Sequence, residues 1–483
     1  MENYFPMNQI VIRNRYKVLF GVTGFLVAAL PRFMAAKGDM WLDEIWSLYL
    51  IKSAEHIWDL LSIYLDNNHI LNSFYLFFTG ENGSALSYRL LSVLSGSAVV
   101  VIMGLINLQR GLTAGLITLG LGMFSYPLIH YSSEARGYAP AMLFALISYV
   151  CLRQIINKGP KWSIMLLQAS VVLGLLSHLT FIFVYVSLLA WMMANLMRSH
   201  SGLRQIAIKM TYLNWVSASV IFAFCYLFVK KMSIGGGNPR SLSDVLVSVA
   251  TLISGAPETG LPHIIGIVLS CIGLVGGLLF LYREGGDEWF FVLFVVILIP
   301  LLFLTTINYE LLNERFFLVG LPFFYLMVGR WAASILVKGS LKGKITCVLI
   351  LMFFLVGNFQ RNIDLMNVGR GGYRQALQFM AVKTSGRDII VGSDHDFRNK
   401  IVLQYYSQDL PLGKRLLYFD KNNWPANGPE WIITHSQKAE FNPPLVLEIQ
   451  GNGDYYLAAN FKFRGLSGFH WALYHQQGHT IGH

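Results

Sequence analysis

Residues 88–129 read YRLLSVLSGSAVVVIMGLINLQRGLTAGLITLGLGMFSYPLI, and over that length only Arg89 and Arg110 carry a charge. The apolar run is interrupted once, at Gln109-Arg110-Gly111. It divides into two segments, 88–107 and 112–129, each near the roughly 20 residues a helix needs to cross ~30 Å of hydrocarbon. Working outward, the same pattern recurs at 18–36, 137–152, 162–178, 180–197, 211–229, 263–282, 289–307, 315–337 and 345–360, for about eleven spans. The composition agrees: 54% of 483 residues are hydrophobic, 14% aromatic, and the mean hydropathy is +0.51, more than one soluble core requires. The expected fold class is a polytopic α-helical membrane protein.

Lys and Arg set the expected topology. With the N-terminus inside, Arg13, Arg15, Lys17, Arg110, Arg153, Lys158, Lys161, Arg198, Arg204, Lys209, Arg283, Lys338, Lys342 and Lys344 all fall on the cytoplasmic face. An odd number of spans then puts the loop with Asp43, the loop with Lys230-Lys231 and everything after residue 361 on the opposite side. The net charge of +11 is accordingly a topology signal, since a nucleic-acid footprint gathers its basic residues on one soluble face. The four cysteines, Cys151, Cys225, Cys271 and Cys347, lie in apolar spans and imply neither a disulfide framework nor a thiolate metal site. Residues 1–17 are basic, precede a full-length span and lack a small-residue cleavage pattern, so the first span is expected to be a retained anchor.

The chain is expected to form two domains. Residues 1–361 form the membrane domain, including a first exoplasmic loop, 37–87, whose aromatic and aliphatic stretches read as interfacial helices. Residues 362–483 form a soluble α/β domain, with helices at 373–384 and 399–406 and strands at 388–392, 415–419, 430–434, 445–449, 455–463 and 471–474. Residues 230–262, with Gly235-Gly236-Gly237, read as a connector or lid. His470, His475, His479 and His483 tempt a metal reading, but their spacing in a polar tail reads better as surface histidines.

Charge is otherwise sparse, 13% of residues, so the acids beside the expected exoplasmic ends of spans stand out. Asp43-Glu44 comes after the first span. Tyr131-Ser132-Ser133-Glu134-Ala135-Arg136-Gly137-Tyr138 carries an acid and a base at i, i+2, which cannot share a helical face and therefore suit a turn. Asn308-Tyr309-Glu310-Leu311-Leu312-Asn313-Glu314-Arg315-Phe316 repeats the theme before a later span, and Asn67-Asn68-His69, Arg89 and His178 fall at the same level. Carboxylates and arginines at a lipid–water boundary suit a lipid-phosphate sugar: Arg grips the phosphate, the leaving group is already anionic, and one carboxylate serves as general base on an acceptor hydroxyl. The bland counterparts are a solvated loop for Asp43-Glu44, a local salt bridge for Glu134 and Arg136, and a capping role for His178.

The order Trp41-Leu42-Asp43-Glu44, His69, Arg89-Leu90-Leu91-Ser92, Glu134-Ala135-Arg136-Gly137-Tyr138 and Glu314-Arg315-Phe316 with Leu321-Pro322 resembles the GT-C superfamily of membrane glycosyltransferases. More narrowly, it is similar to the bacterial protein-mannosyltransferase and aminoarabinose-transferase-like branch. The resemblance implies an inverting transfer of a sugar from a polyprenyl-phosphate donor to an exoplasmic glycan, lipid or protein, in the bacterial inner membrane, with the site and C-terminal domain on the periplasmic or extracellular face. It implies Asp43 as catalytic base, Glu44 and Glu134 as groups positioning acceptor or base, and Arg136 and Arg315 as phosphate ligands. His69, Arg89, Tyr131, Tyr138 and His178 complete the expected substrate-binding set. The family's His-Pro-Pro reads His69-Ile70-Leu71 here, and its late Arg-Tyr reads Arg315-Phe316. No cofactor is required by this pattern; members differ in whether a divalent cation assists, and the sequence is compatible with both. The competing class is a transporter or flippase for a polyprenyl-linked glycan.

Overall fold

The computed structural model describes residues 14–199, 202–235, 240–306, 312–438, 441–449 and 453–476. The chain divides into two compact units, one of Met1–Ala36 and Ala54–Asn362, the other of Lys37–Ser53 and Ile363–His483. The expectations for Arg13, Gly236-Gly237, residues 308–311, His479 and His483 lie outside the described residues.

The first unit is helical. It contains α1 (Asn14–Ala35), then, beyond α2 (Leu42–Lys52) of the other unit, α3 (Ile70–Thr79), α4 (Ala85–Leu108), α5 (Leu112–Phe124), α6 (Tyr126–Ser132), α7 (Tyr138–Ile156), α8 (Trp162–Ser177), α9 (Phe181–Arg198) and α10 (Leu203–Leu227). After these come α11 (Leu242–Ser254), α12 (Gly260–Arg283), α13 (Glu288–Leu293), a π turn at Phe294–Leu298, α14 (Ile299–Leu304), a 3-10 turn at Glu314–Gly320, α15 (Leu321–Lys338) and α16 (Leu341–Val368), which runs on past Asn362. Among the described residues, eight helices are long and apolar enough to cross a membrane, or nine with α5 and α6 counted as one bent span. The other two expected spans are the shorter apolar helices α8 and Glu288–Leu304. The protein is thus a multi-pass membrane protein. Its core is α4, packed on α1, α5 and α7, with α15 on α5. Small residues permit that closeness: a side chain at Gly96 would collide with Ser132, and one at Gly329 with Thr118.

Residues 230–262 are not a plain connector. Leu242, Val245, Leu246, Val249, Leu252 and Ile253 recur at helical spacing, and Ser241 starts α11 by accepting the Asp244 N–H at 3.1 Å. Gly255 ends it in the left-handed conformation, φ 75°.

The second unit contains β1 (Asp388–Ser393), β2 (Arg415–Tyr418), β3 (Trp431–Ser436), β4 (Val446–Ile449), β5 (Gly453–Phe461) and β6 (His470–Gln476), with helices α17 (Tyr373–Lys383) and α18 (Asp396–Tyr406). The strand order is β2-β1-β3-β6-β5-β4, parallel across β2, β1 and β3 and antiparallel beyond. Every strand and helix expected in this domain is present. The histidines differ: His470 and His475 lie on the interior strand β6 and are buried, with His475 Nε2 3.5 Å from Glu430.

The loop 37–87, expected to belong wholly to the membrane domain, divides in the structure. Lys37–Ser53 packs within the C-terminal unit: Tyr406 Oη accepts the Met40 N–H at 2.7 Å, the Arg374 N–H donates to Asp39 at 3.0 Å, and Trp46 meets Phe397 edge-on at 5.2 Å. Its helix α2 buries Ile45, Leu48 and Ile51 and is a packed helix. In the later part of the loop Trp58 and Leu61 on the 3-10 turn Ile57–Ser62 and Phe78 on α3 are exposed.

Candidate active site

The segment joining α6 to α7 is buried throughout, from Tyr131 to Tyr138. Pro127, at the first turn of α6, supplies no backbone N–H and breaks the helix from α5, bending the pair by 59°. Glu134 is completely buried with His130, whose Nε2 lies 2.9 Å from its carboxylate, an i, i+4 pair on the last turn of the bent segment. The Arg136 N–H turns back to the Glu134 carbonyl at 2.8 Å, which makes the turn expected from the i, i+2 spacing.

Residues 67–72 pack along this turn. Arg136 donates to Asn67 Oδ1, and Asn72 Nδ2 donates to the Ala135 carbonyl at 2.9 Å. Ser92 of α4 holds the Arg136 carbonyl at 2.9 Å. Four rings form a continuous wall: Tyr131 against Tyr138 at 4.8 Å, Tyr138 against His178 at 4.4 Å, and His178 stacked on His69 at 4.7 Å. The Arg136 guanidinium lies over the Tyr138 ring at 5.7 Å. His69 Nε2 and Asn72 Oδ1 are buried without a hydrogen-bond partner among the described residues, which is what a site made for polar ligand groups or water shows.

Burial first, then the charges of Arg136, His178 and Arg315, push the His69 pKa well below its usual value. Arg315, on the 3-10 turn before α15, is therefore within electrostatic reach of this wall. Its neighbour Glu314 forms an ion pair with Arg240. The sign of the pH effect is fixed by the direction of the His69 shift. Below about 6.5 the unfolded chain binds a proton that the folded one resists, so stability is full above that pH and is lost as pH falls through it. The melting temperature in detergent is expected to fall between pH 7 and pH 5, and His69→Gln to flatten that slope; an unchanged slope would exclude His69 as its source.

Tyr131 and Glu314 also line a cavity of about 240 Å³, walled apart from Ser270 mostly by apolar side chains of α11, α12, the π turn, the 3-10 turn and α15. A polar, arginine-bearing wall thus meets a greasy chamber at Tyr131.

Of the expected site residues, His69, Tyr131, Glu134, Arg136, Tyr138 and His178 are joined by direct contacts along this stretch, with Arg315 coupled to it. Arg89 is fully buried and donates Nη1 to the Ala36 carbonyl at 2.8 Å. Asp43 and Glu44 fold with the C-terminal unit. Asp43 is half-buried in the first turn of α2, and fully buried Glu44 accepts the Trp41 N–H at 3.2 Å. His130, Asn72 and Arg240 escaped the sequence reading. His130 alone had a signal there, its i, i+4 spacing to Glu134; the other two are placed by pairings distant in the chain. Among the described residues no three His, Cys, Asp or Glu side chains gather as a metal-binding set.

No protein-family model and no curated protein sequence matches the chain. Among solved structures, the crystal structure of ArnT from Cupriavidus metallidurans in the apo state matches with a TM-score of 0.51 at 12% identity, over 95% of this chain and 97% of that one. The same protein bound to undecaprenyl phosphate matches with a TM-score of 0.38 at 11% identity, over 96% and 98%. The apo match extends over both units.

Proposed function

We propose, with the ArnT-like fold as premise, that this chain is a membrane glycosyltransferase that moves a sugar from a polyprenyl-phosphate carrier to an acceptor hydroxyl. The observation that carries the reading is the junction at Tyr131, where the cavity lined by apolar side chains meets the wall bearing Arg136, with Arg315 in electrostatic reach. An amphipathic donor has that same division. Its prenyl chain fills the chamber, its phosphate is held by the guanidiniums, and its sugar reaches the neutral polar atoms His69 Nε2 and Asn72 Oδ1.

In the reaction the acceptor oxygen forms a bond to the anomeric carbon while the bond from that carbon to the phosphate oxygen breaks, with inversion. The electron pair leaves with the polyprenyl phosphate, whose charge the arginines stabilise. The acceptor proton goes to a carboxylate, and Asp43 takes that role from its position in the motif order. Glu134 is tied to His130 and shapes the turn that presents Arg136. By the same motif order the acceptor is a cell-envelope glycan, lipid or protein and the membrane is the bacterial inner membrane, with the site facing the periplasm.

The test is transfer from a panel of radiolabelled polyprenyl-phosphate sugars by the purified protein with membrane-lipid extract, with and without chelator. Arg136→Leu is expected to lower kcat/KM by about 10² to 10³, and Arg136→Lys to recover only part, because an ammonium lacks the planar fork. Full activity in Arg136→Leu would remove the phosphate role. No transfer from any donor by folded protein would count against the class.

A further inference from the structure

A continuous helix through residues 112–132 would hydrogen-bond Gly122 O to Tyr126 N, Met123 O to residue 127 and Phe124 O to Leu128 N. Pro127 has no N–H to give, and the bend at Ser125 breaks the neighbouring bonds as well. At membrane depth such groups cannot be left to lipid. Here they are met by side chains from distant parts of the chain. Arg32 of α1 donates Nη2 to Gly122 O at 3.2 Å, and Asn362 of α16 donates Nδ2 to Phe124 O at 2.9 Å. Asn358 of α16 accepts the Tyr126 N–H on Oδ1 at 2.7 Å. Ser125 Oγ faces the Leu128 N–H at 3.4 Å and Tyr325 Oη of α15 at 3.1 Å.

Arg32 is the costly member. It is completely buried and forms no ion pair among the described residues; its other hydrogen bond goes to Ala28 O at 2.8 Å. It lies in the last turn of α1 and reaches the last turn of α5, so the negative ends of two helix dipoles offset its charge in place of a carboxylate. A buried cation held in this way suits a joint whose angle matters. The segment it secures carries Tyr131 into the cavity wall and leads directly to Glu134 and Arg136.

We propose that Asn358, Asn362 and Arg32 are positioning residues that lock the broken helix α5–α6 in the bent form presenting the Tyr131–Tyr138 segment. The consequence for turnover rests on the glycosyltransferase reading; the lock itself does not. None of the three needs to touch substrate. Their effect on a transfer reaction is to hold Arg136 where the leaving phosphate develops charge.

The test compares Asn358→Leu, similar in size but without the acceptor for Tyr126 N–H, with Asn358→Asp, which keeps an oxygen there. Amide hydrogen exchange in detergent over residues 126–136 is read alongside kcat and donor KM. Asn358→Leu is expected to speed exchange about tenfold, as loss of one buried hydrogen bond should. It is expected to lower kcat by about tenfold or more while donor KM stays within about threefold, since most of the chamber wall is untouched. Asn358→Asp is expected to restore both. If Asn358→Leu does not fold, Ser125→Ala acts in the same direction with a smaller effect. Unchanged exchange, or an Asp variant as impaired as the Leu one, overturns the lock. Faster exchange with unchanged kcat overturns the positioning role. If the wild type transfers no sugar, the glycosyltransferase reading fails, and the exchange data with the Asp rescue still decide the lock.

Discussion

Asp43→Asn is expected to reduce sugar transfer by about 10³-fold or more, with melting temperature and donor binding close to wild type. The reason lies in how the work divides. In the proposed transfer the phosphate leaves as an anion and needs no proton, so the only proton to be moved is that of the acceptor hydroxyl, and the amide cannot take it. Asn matches Asp in shape, and Asp43 sits half-buried in the first turn of α2, where the backbone is held by Glu44 on the Trp41 N–H and by Ser47 on the Asp43 carbonyl. Donor affinity is expected to survive because it is assigned to the chamber and to Arg136 and Arg315. The measurement is single-turnover transfer with saturating donor, plus donor binding by the same preparation. Retention of more than about a tenth of the rate would exclude Asp43 as the base, given the usual contribution of such a group.

Glu288→Gln is expected to destabilise the membrane unit by about 3 kcal/mol. Glu288 accepts from Arg330 Nη1 at 2.9 Å, lies 3.2 Å from Arg153 Nε and 3.9 Å from Arg110 Nη2. Arg330 also pairs with Glu284, and Arg198 with Asp287. Removing one charge would take a partner from Arg330, Arg153 and Arg110 in a partly desolvated pocket, where losing a partner costs more than the pair contributes. Thermal unfolding in detergent is the measurement, with Arg153→Gln and the double variant closing a cycle. A change below about 1 kcal/mol would place the cluster among exposed ion pairs of little consequence.

That cluster also shows how far sequence reasoning reaches. Arg110, Arg153 and Arg198 are expected to share one membrane face from the positive-inside rule alone, and the structure does gather them, through Glu288 and Asp287. The sequence does not reveal that acids knit them together, because Glu284, Asp287 and Glu288 look like ordinary loop charges until helices distant in sequence bring arginines to them. The same holds for Asn358 and Asn362. In the sequence they are two polar residues near the end of a hydrophobic span, and only the break at Pro127 on another helix gives them something to bond. α11 is hidden for a different reason: the glycines just before it draw the whole stretch toward a loop, although the apolar spacing within 242–253 is helical.

Local chemistry is enough wherever the outcome depends on neighbours in the chain. Apolar length requires membrane helices, alternation and turn residues mark all six strands, and the i, i+2 spacing of Glu134 and Arg136 suits a turn. The fold that the motif order leads one to expect is the fold that matches ArnT. Tertiary structure alone decided the rest: that Lys37–Ser53 packs into the C-terminal unit through Met40, Trp46 and Tyr406, that His69 and His178 stack into one wall with Tyr138, and that a buried arginine secures a broken helix. Each depends on which distant surfaces meet. A chain read in order shows what every residue can bond, but burial and partner, which settle whether a charge is a ligand, a brace or a solvated loop, exist only once the helices have packed.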